Sequence, residues 1–256
     1  MRLLVFDSGV GGLSVVREIR RLLPDAAITY LADTAVFPYG GLEPEALVAR
    51  VTALMEAVIP EVDPAAVVIA CNTASTLVLP PLRARWEVPF VGTVPAIKPA
   101  AAQSRTRLVS VLATPGTVKR DYTRSLIAEH GQDCRFTLVG SVALAGLVER
   151  TLGGEAIPDQ AFAAEIAPCF VAEGDARTDT VVLACTHYPL VLDRLKRLAP
   201  WPVEWIDPAP AIARRVSAVT EGRAGIGGGG DRFLATGYQP APALLAQFGF
   251  GAAESA

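Results

Sequence analysis

Val67-Val68-Ile69-Ala70-Cys71-Asn72-Thr73 and Val181-Val182-Leu183-Ala184-Cys185-Thr186-His187 are near copies of each other. Each opens with four apolar residues rich in β-branched side chains, which reads as a buried strand. Each then stops at a thiol followed by amide, hydroxyl or imidazole groups. Strands that turn polar at their carboxyl ends belong to open parallel sheets, where ligands gather at those ends. A thiol gives or takes a proton once its pKa is lowered. Two thiols on equivalent strand ends could face one carbon from opposite sides. That arrangement removes a proton from one face of a stereocentre and returns one to the other.

On either side of these runs, short apolar stretches alternate with amphipathic ones, the pattern of an α/β fold with a largely parallel sheet. Strands are expected at Leu3–Phe6, Ala27–Leu31, Ala66–Ala70, Phe90–Thr93, Arg107–Leu112, Arg135–Gly140, Thr180–Ala184 and Val203–Ile206. Helices are expected at Gly12–Leu22, Pro44–Val58, Thr117–His130, Gln160–Glu173 and Leu190–Leu198. Leu47, Val51, Leu54, Met55 and Val58 recur at helical spacing and read as core. The chain holds two similar halves. One has strands ending in Asp7-Ser8-Gly9 and Cys71-Asn72-Thr73, the other in Thr114-Pro115-Gly116-Thr117 and Cys185-Thr186-His187. This organisation predicts two pseudosymmetric α/β domains, 1–95 plus 208–256 and 96–207, with the active site in the cleft between them. Gly222–Asp231, with its glycine run, reads as a flexible surface loop.

The chain has 256 residues, 51% hydrophobic and 19% charged, with a net charge of −3. That is ample for a packed core and offers no basic face for nucleic acid. No signal sequence or membrane-length apolar run is present, so a cytoplasmic enzyme is expected. The four cysteines (Cys71, Cys134, Cys169, Cys185) show neither CxxC nor metal spacing, and read as free thiols with no metal. Cys134 and Cys169 lie in ordinary surroundings and receive no role.

Around the two thiols the polar residues have assignable chemistry. Gly9, Gly11 and Gly12 form a turn ahead of a helix, where backbone N–H groups can point at a ligand. Asp7 would repel a phosphate there and suits an ammonium or a protonated thiol; an acid here also reads as a turn or helix cap. His187, two residues beyond Cys185, can lower the thiol's pKa or relay protons, or fill a structural place. Tyr39 and Gly40 lie in a loop beside a strand end, where Tyr39 also reads as a packed aromatic. Ser8, Asn72, Thr73, Thr114, Thr117 and Thr186 offer neutral donors for a small carboxylate, with no arginine clamp in evidence. No lysine stands in a strand-end cluster to form a Schiff base.

These residues fall in ordered blocks: VFDSGVGGLSV, FPYG, VIACNTAS, VPAIKPAA, LATPGTVKR and LACTHYPL, with a weaker tail at RFLATG. Together they resemble the glutamate racemase family over about Leu4 to Gly237. The resemblance implies cofactor-independent interconversion of L- and D-glutamate, feeding peptidoglycan synthesis, on a two-domain pseudosymmetric fold. By motif it makes Cys71 and Cys185 the acid/base thiols. Asp7, Ser8, Tyr39, Gly40, Asn72, Thr73, Thr186 and His187 become substrate contacts, with Thr114 and Thr117 added. The family also uses an acid near the second thiol, and Glu149 is the candidate by position. Ala32, Val36, Pro115 and Pro208 depart from the commoner pattern, which bears on loop shape and affinity. Some relatives carry an N-terminal extension linked to activation by a cell-wall precursor; here the first strand begins at once, and that control is not expected. General prevalence favours a homodimer.

Overall fold

A computed structural model describes residues 1–222 and 229–256. In chain order the elements are β1 Arg2–Asp7, α1 Leu13–Leu22, β2 Ala27–Ala32, α2 Pro44–Val62, β3 Ala66–Ile69, α3 Asn72–Arg85, β4 Phe90–Gly92 and α4 Ile97–Gln103. Next come β5 Leu108–Ala113, α5 Pro115–Val118, α6 Asp121–His130, β6 Arg135–Gly140, α7 Leu144–Leu152, α8 Asp159–Ile166, β7 Ala172–Glu173 and β8 Ala176–Arg177. The last are β9 Thr180–Ala184, α9 Leu192–Leu198, β10 Glu204–Ile206, α10 Ala209–Thr220, β11 Arg232–Ala235, α11 Pro242–Ala246 and β12 Glu254–Ser255. By internal contacts the chain divides into two compact units, Met1–Thr93 with Ala209–Ala256, and Val94–Pro208.

The first unit is built on a six-stranded sheet in the order β12-β11-β2-β1-β3-β4, parallel at every pairing. Alternation along β1 and β3 sends Leu4, Phe6, Val67 and Ile69 to one face. There they join the buried stripe of α2 (Leu47, Val51, Met55, Val58) and of α3 (Ala74, Val78, Leu82) in one core cluster. α1 pairs instead with α10. The second unit has a four-stranded parallel sheet in the order β10-β9-β5-β6, plus a small antiparallel hairpin of β7 and β8. Its core gathers Ile97 and Ala100 of α4 with Val109, Val111, Val182 and Ala184. Numbered from its own first strand, each unit winds in the order second-first-third-fourth. The first unit extends that sheet by two strands contributed from the end of the chain.

Three helix expectations need correction. Thr117–His130 is two helices, because Arg120 is extended (ψ 140°) and caps α6. Gln160–Glu173 ends early: a 3-10 turn at Ala167–Cys169 carries Pro168, which cannot continue a helix. The chain then makes the β7–β8 hairpin through Gly174 at φ +57°. Tyr188–Val191, at the start of Leu190–Leu198, is a 3-10 turn before α9. Residues 223–228 of the expected surface loop lie outside the described residues. No described helix is long and apolar enough to cross a membrane.

Candidate active site

In the first unit the polar strand ends of β1 and β3 are neighbours, since the two strands pair directly. Asp7 closes β1 and is fully buried. Its Oδ1 accepts from the Ser8 N–H (2.7 Å) and Ser8 hydroxyl (3.3 Å), and its Oδ2 from the Gly12 N–H (2.6 Å). The Gly12 N–H is thus spent on Asp7, where the sequence reading pointed it at a ligand. A Cβ on Gly12 would stand 2.7 Å from the Tyr30 hydroxyl and 3.0 Å from Ala70 Cβ, so the turn tolerates glycine alone. Ser8 Oγ in turn lies 3.7 Å from Cys71 Sγ. A carboxylate, a hydroxyl and a thiol therefore form one chain of contacts, Asp7–Ser8–Cys71.

Cys71 has extended backbone at the N-terminus of the 14-residue α3, where the helix dipole favours negative charge. Asn72, the first residue of that helix, is 2% exposed, and neither end of its amide has a hydrogen-bond partner. A buried amide left unsatisfied costs about 1–3 kcal/mol, which a bound polar ligand would relieve. Thr73 follows it, also buried. Tyr39 and Gly40 open a 3-10 turn, Tyr39–Gly41. The Tyr39 ring is buried in the cluster that holds Cys71, and its hydroxyl donates to Asp33. Burial and the Asp33 charge push the Tyr39 phenol far above its ordinary value, so it stays protonated.

The second unit presents a different relay. Cys185 follows β9, and its Sγ lies 3.7 Å from His187 Nδ1. His187 Nε2 is 2.7 Å from Glu149 Oε1, an acid brought in by α7. Both members are buried, with side-chain exposures of 3% and 9%. Burial opposes the imidazolium, but Cys185 and Glu149 outweigh it and raise the His187 pKa well above the ordinary histidine value. Doubly protonated, the ring donates to the carboxylate on one side and to the sulfur on the other. Thr114 Oγ1 accepts from the Thr117 N–H (3.4 Å) and lies 3.2 Å from Thr117 Oγ1, so these hydroxyls serve each other at the start of α5. Thr186 is buried between Cys185 and His187.

Two groups near these relays escaped the sequence reading. Tyr188 is fully buried, and its hydroxyl lies near Ser141 and Cys185 without a well-formed hydrogen bond. Burial and the Cys185 charge raise its pKa well above the ordinary tyrosine value. Arg50, on α2, forms a two-pronged ion pair with Asp33. No local pattern marks either, because an arginine on a helix's polar side and an aromatic next to a histidine are common. Cys169 is buried, and burial pushes its thiol up to about 12. Among the described residues no group of three His, Cys, Asp or Glu is placed to hold a metal.

The Asp/Glu/hydantoin racemase family matches residues 8–216. The glutamate racemase of Brucella ovis is 56% identical over 222 residues, 86% of this chain and 80% of that protein. That of Agrobacterium fabrum is 57% identical over 213 residues, 83% of this chain and 78% of the relative. Among solved structures, Escherichia coli glutamate racemase in complex with L-glutamate and the activator UDP-MurNAc-ala has a TM-score of 0.90 at 40% identity. That match covers 97% of this chain and 95% of the other. The chain belongs to the Asp/Glu/hydantoin racemase family and, within it, to the glutamate racemases, isomerases of an amino acid.

Proposed function

We propose that this protein is a cytoplasmic enzyme that interconverts L- and D-glutamate without a cofactor, passing protons at Cα through Cys71 and Cys185, and that its D-glutamate feeds peptidoglycan synthesis. The observation that carries this reading is the pair of relays. Each thiol stands at a strand's carboxyl end with its own carboxylate one group away, Asp7 through Ser8 and Glu149 through His187. Each unit carries one of the two thiols, Cys71 in the first and Cys185 in the second. The α-hydrogen of an amino acid is a very weak acid, so the carbanion must be stabilised by preorganised donors in a site closed to water. Asn72, Thr73, Thr114, Thr117 and Thr186 supply those donors to the carboxylates, and Asp7 attracts the ammonium.

One thiol must be ionised and the other protonated, and turnover in one direction leaves the pair set for the reverse. For Cys71 the N-terminus of α3 favours negative charge at the sulfur, and for Cys185 the His187 ring beside its sulfur can give or take a proton. Circular dichroism on L-glutamate and on D-glutamate in D2O tests the scheme, with aspartate as the competing substrate. Wild type should racemise glutamate with deuterium entering Cα, and Cys71→Ser and Cys185→Ser should each nearly abolish it. Wild-type turnover in either variant, or racemisation without solvent exchange, would refute the two-thiol route.

A further inference from the structure

The tail block Arg232–Gly237 takes no part in either thiol relay, yet its end is fastened to the loop after β2. Thr236 N–H donates to the Ala32 carbonyl (3.1 Å), Ala35 N–H to Thr236 Oγ1 (3.1 Å) and Gly237 N–H to Thr34 Oγ1 (3.0 Å). Thr34 Oγ1 donates onward to the Tyr238 carbonyl (2.8 Å). A Cβ on Gly237 would stand 2.7 Å from the Ala35 N and Cα, so this approach of two backbones requires glycine.

The fastening converges on Asp33, which is fully buried and accepts four bonds. Thr236 Oγ1 (2.6 Å) and Arg50 Nη2 (2.7 Å) donate to Oδ1, and Arg50 Nε (3.0 Å) and the Tyr39 hydroxyl donate to Oδ2. The donors come from the tail, from α2 and from the 3-10 turn, so one carboxylate ties three distant stretches. Burial alone would raise the Asp33 pKa, but the bonds from Arg50, Thr236 and Tyr39 hold it below the ordinary carboxylate value. Tyr39 has one phenolic proton, and it is spent on Asp33. Tyr39 therefore has no hydroxyl proton left to donate to a ligand and can show it only the accepting phenolic oxygen, the ring and the backbone of its turn, whose position depends on the carboxylate.

We propose that Arg50, Thr236 and Gly237 are positioning residues for glutamate: through the buried Asp33 carboxylate and the loop beside it they hold the Tyr39–Gly41 turn in the cluster that contains Cys71. This rests on the racemase reading above. An unfastened turn weakens substrate binding before and during the chemistry alike, so the effect falls on KM.

Thr236→Val, Thr236→Ser, Arg50→Lys, Gly237→Ala and Tyr39→Phe are compared with wild type for glutamate KM, kcat and Tm. Thr236→Val should raise KM about tenfold with kcat within about twofold, the scale of one lost bond to a charged group. Thr236→Ser keeps the hydroxyl and should restore KM. Arg50→Lys loses the two-pronged geometry and should raise KM about threefold, which serves if Thr236→Val does not fold. The Tyr39→Phe, Thr236→Val double variant should show less than the product of the single effects, since both act through Asp33. A lowered Tm with KM unmoved, or a fall in kcat alone, would overturn the proposal. Failure of wild type to racemise glutamate would overturn the racemase reading instead, so the two failures are distinct.

Discussion

Glu149→Gln removes the charge behind His187 while keeping size and one hydrogen-bonding oxygen. The Glu149–His187 contact is 2.7 Å long and almost wholly buried, so solvent screens it little. A hydrogen bond to a charged partner contributes about 1.5–3 kcal/mol, which at 1.4 kcal/mol per tenfold gives a loss in kcat/KM of about 10- to 150-fold. D- and L-glutamate are mirror images with an equilibrium constant of one, so kcat/KM must fall equally in both directions. The handedness appears instead in the α-deuterium isotope effect, which should grow in the direction where Cys185 removes the proton. Burial already opposes the imidazolium, and Glu149 is one of two groups that overcome it, so the His187 pKa should fall in the variant. In wild type the folded His187 pKa lies above its unfolded value. Its stabilisation is therefore complete below about pH 6.5 and lost as pH rises through the folded pKa. In Glu149→Gln that loss should shift to lower pH or vanish. Only His130 and His187 are histidines, so ring-proton NMR follows the titration directly, and polarised-light assays follow the rates. Unchanged kcat/KM together with an unchanged His187 titration would refute the relay.

Three further outcomes follow from particular contacts. Asn72→Ala should leave the ligand-free protein as stable as wild type or more so, because the amide has no partner to lose, while glutamate KM rises about tenfold; a Tm drop of many degrees would contradict this. Gly12→Ala forces a methyl to within 2.7 Å of the Tyr30 hydroxyl and should cost about 1–3 kcal/mol, read as a lower midpoint in urea. Cys169, buried with its thiol pushed up to about 12, should resist iodoacetamide at pH 8 in the folded protein and react once unfolded; rapid labelling of the native chain would show the burial to be wrong.

Where local pattern governs, sequence and structure agree closely. The eight expected strands match β1–β6, β9 and β10 to within a residue or so at either end; β1, β3 and β9 are the clearest, because a run of four apolar residues ending in polar ones suits a strand buried on both faces. α3 was illegible for an opposite reason. Pro80 and Pro81 stand inside it and remove two backbone donors, yet Ala74, Val78, Leu79 and Leu82 bury enough apolar surface to keep it helical. That helix is what gives Cys71 a dipole to face. The split of α5 from α6 and the hairpin after Pro168 likewise depend on partners that a periodicity reading does not contain.

The local order of side chains alone determined which chemistry each strand end carries: a thiol beside an amide, a thiol beside an imidazole, an acid before a glycine turn. Those pairings are set within a few residues along the chain, so any fold that makes the strands delivers them. Only the tertiary structure decided that Glu149 reaches His187 from α7, that Ser8 bridges Asp7 to Cys71, and that Thr236 meets Asp33 across 203 residues. Such bonds depend on the winding order of the sheets, which places strand ends side by side regardless of their separation in sequence.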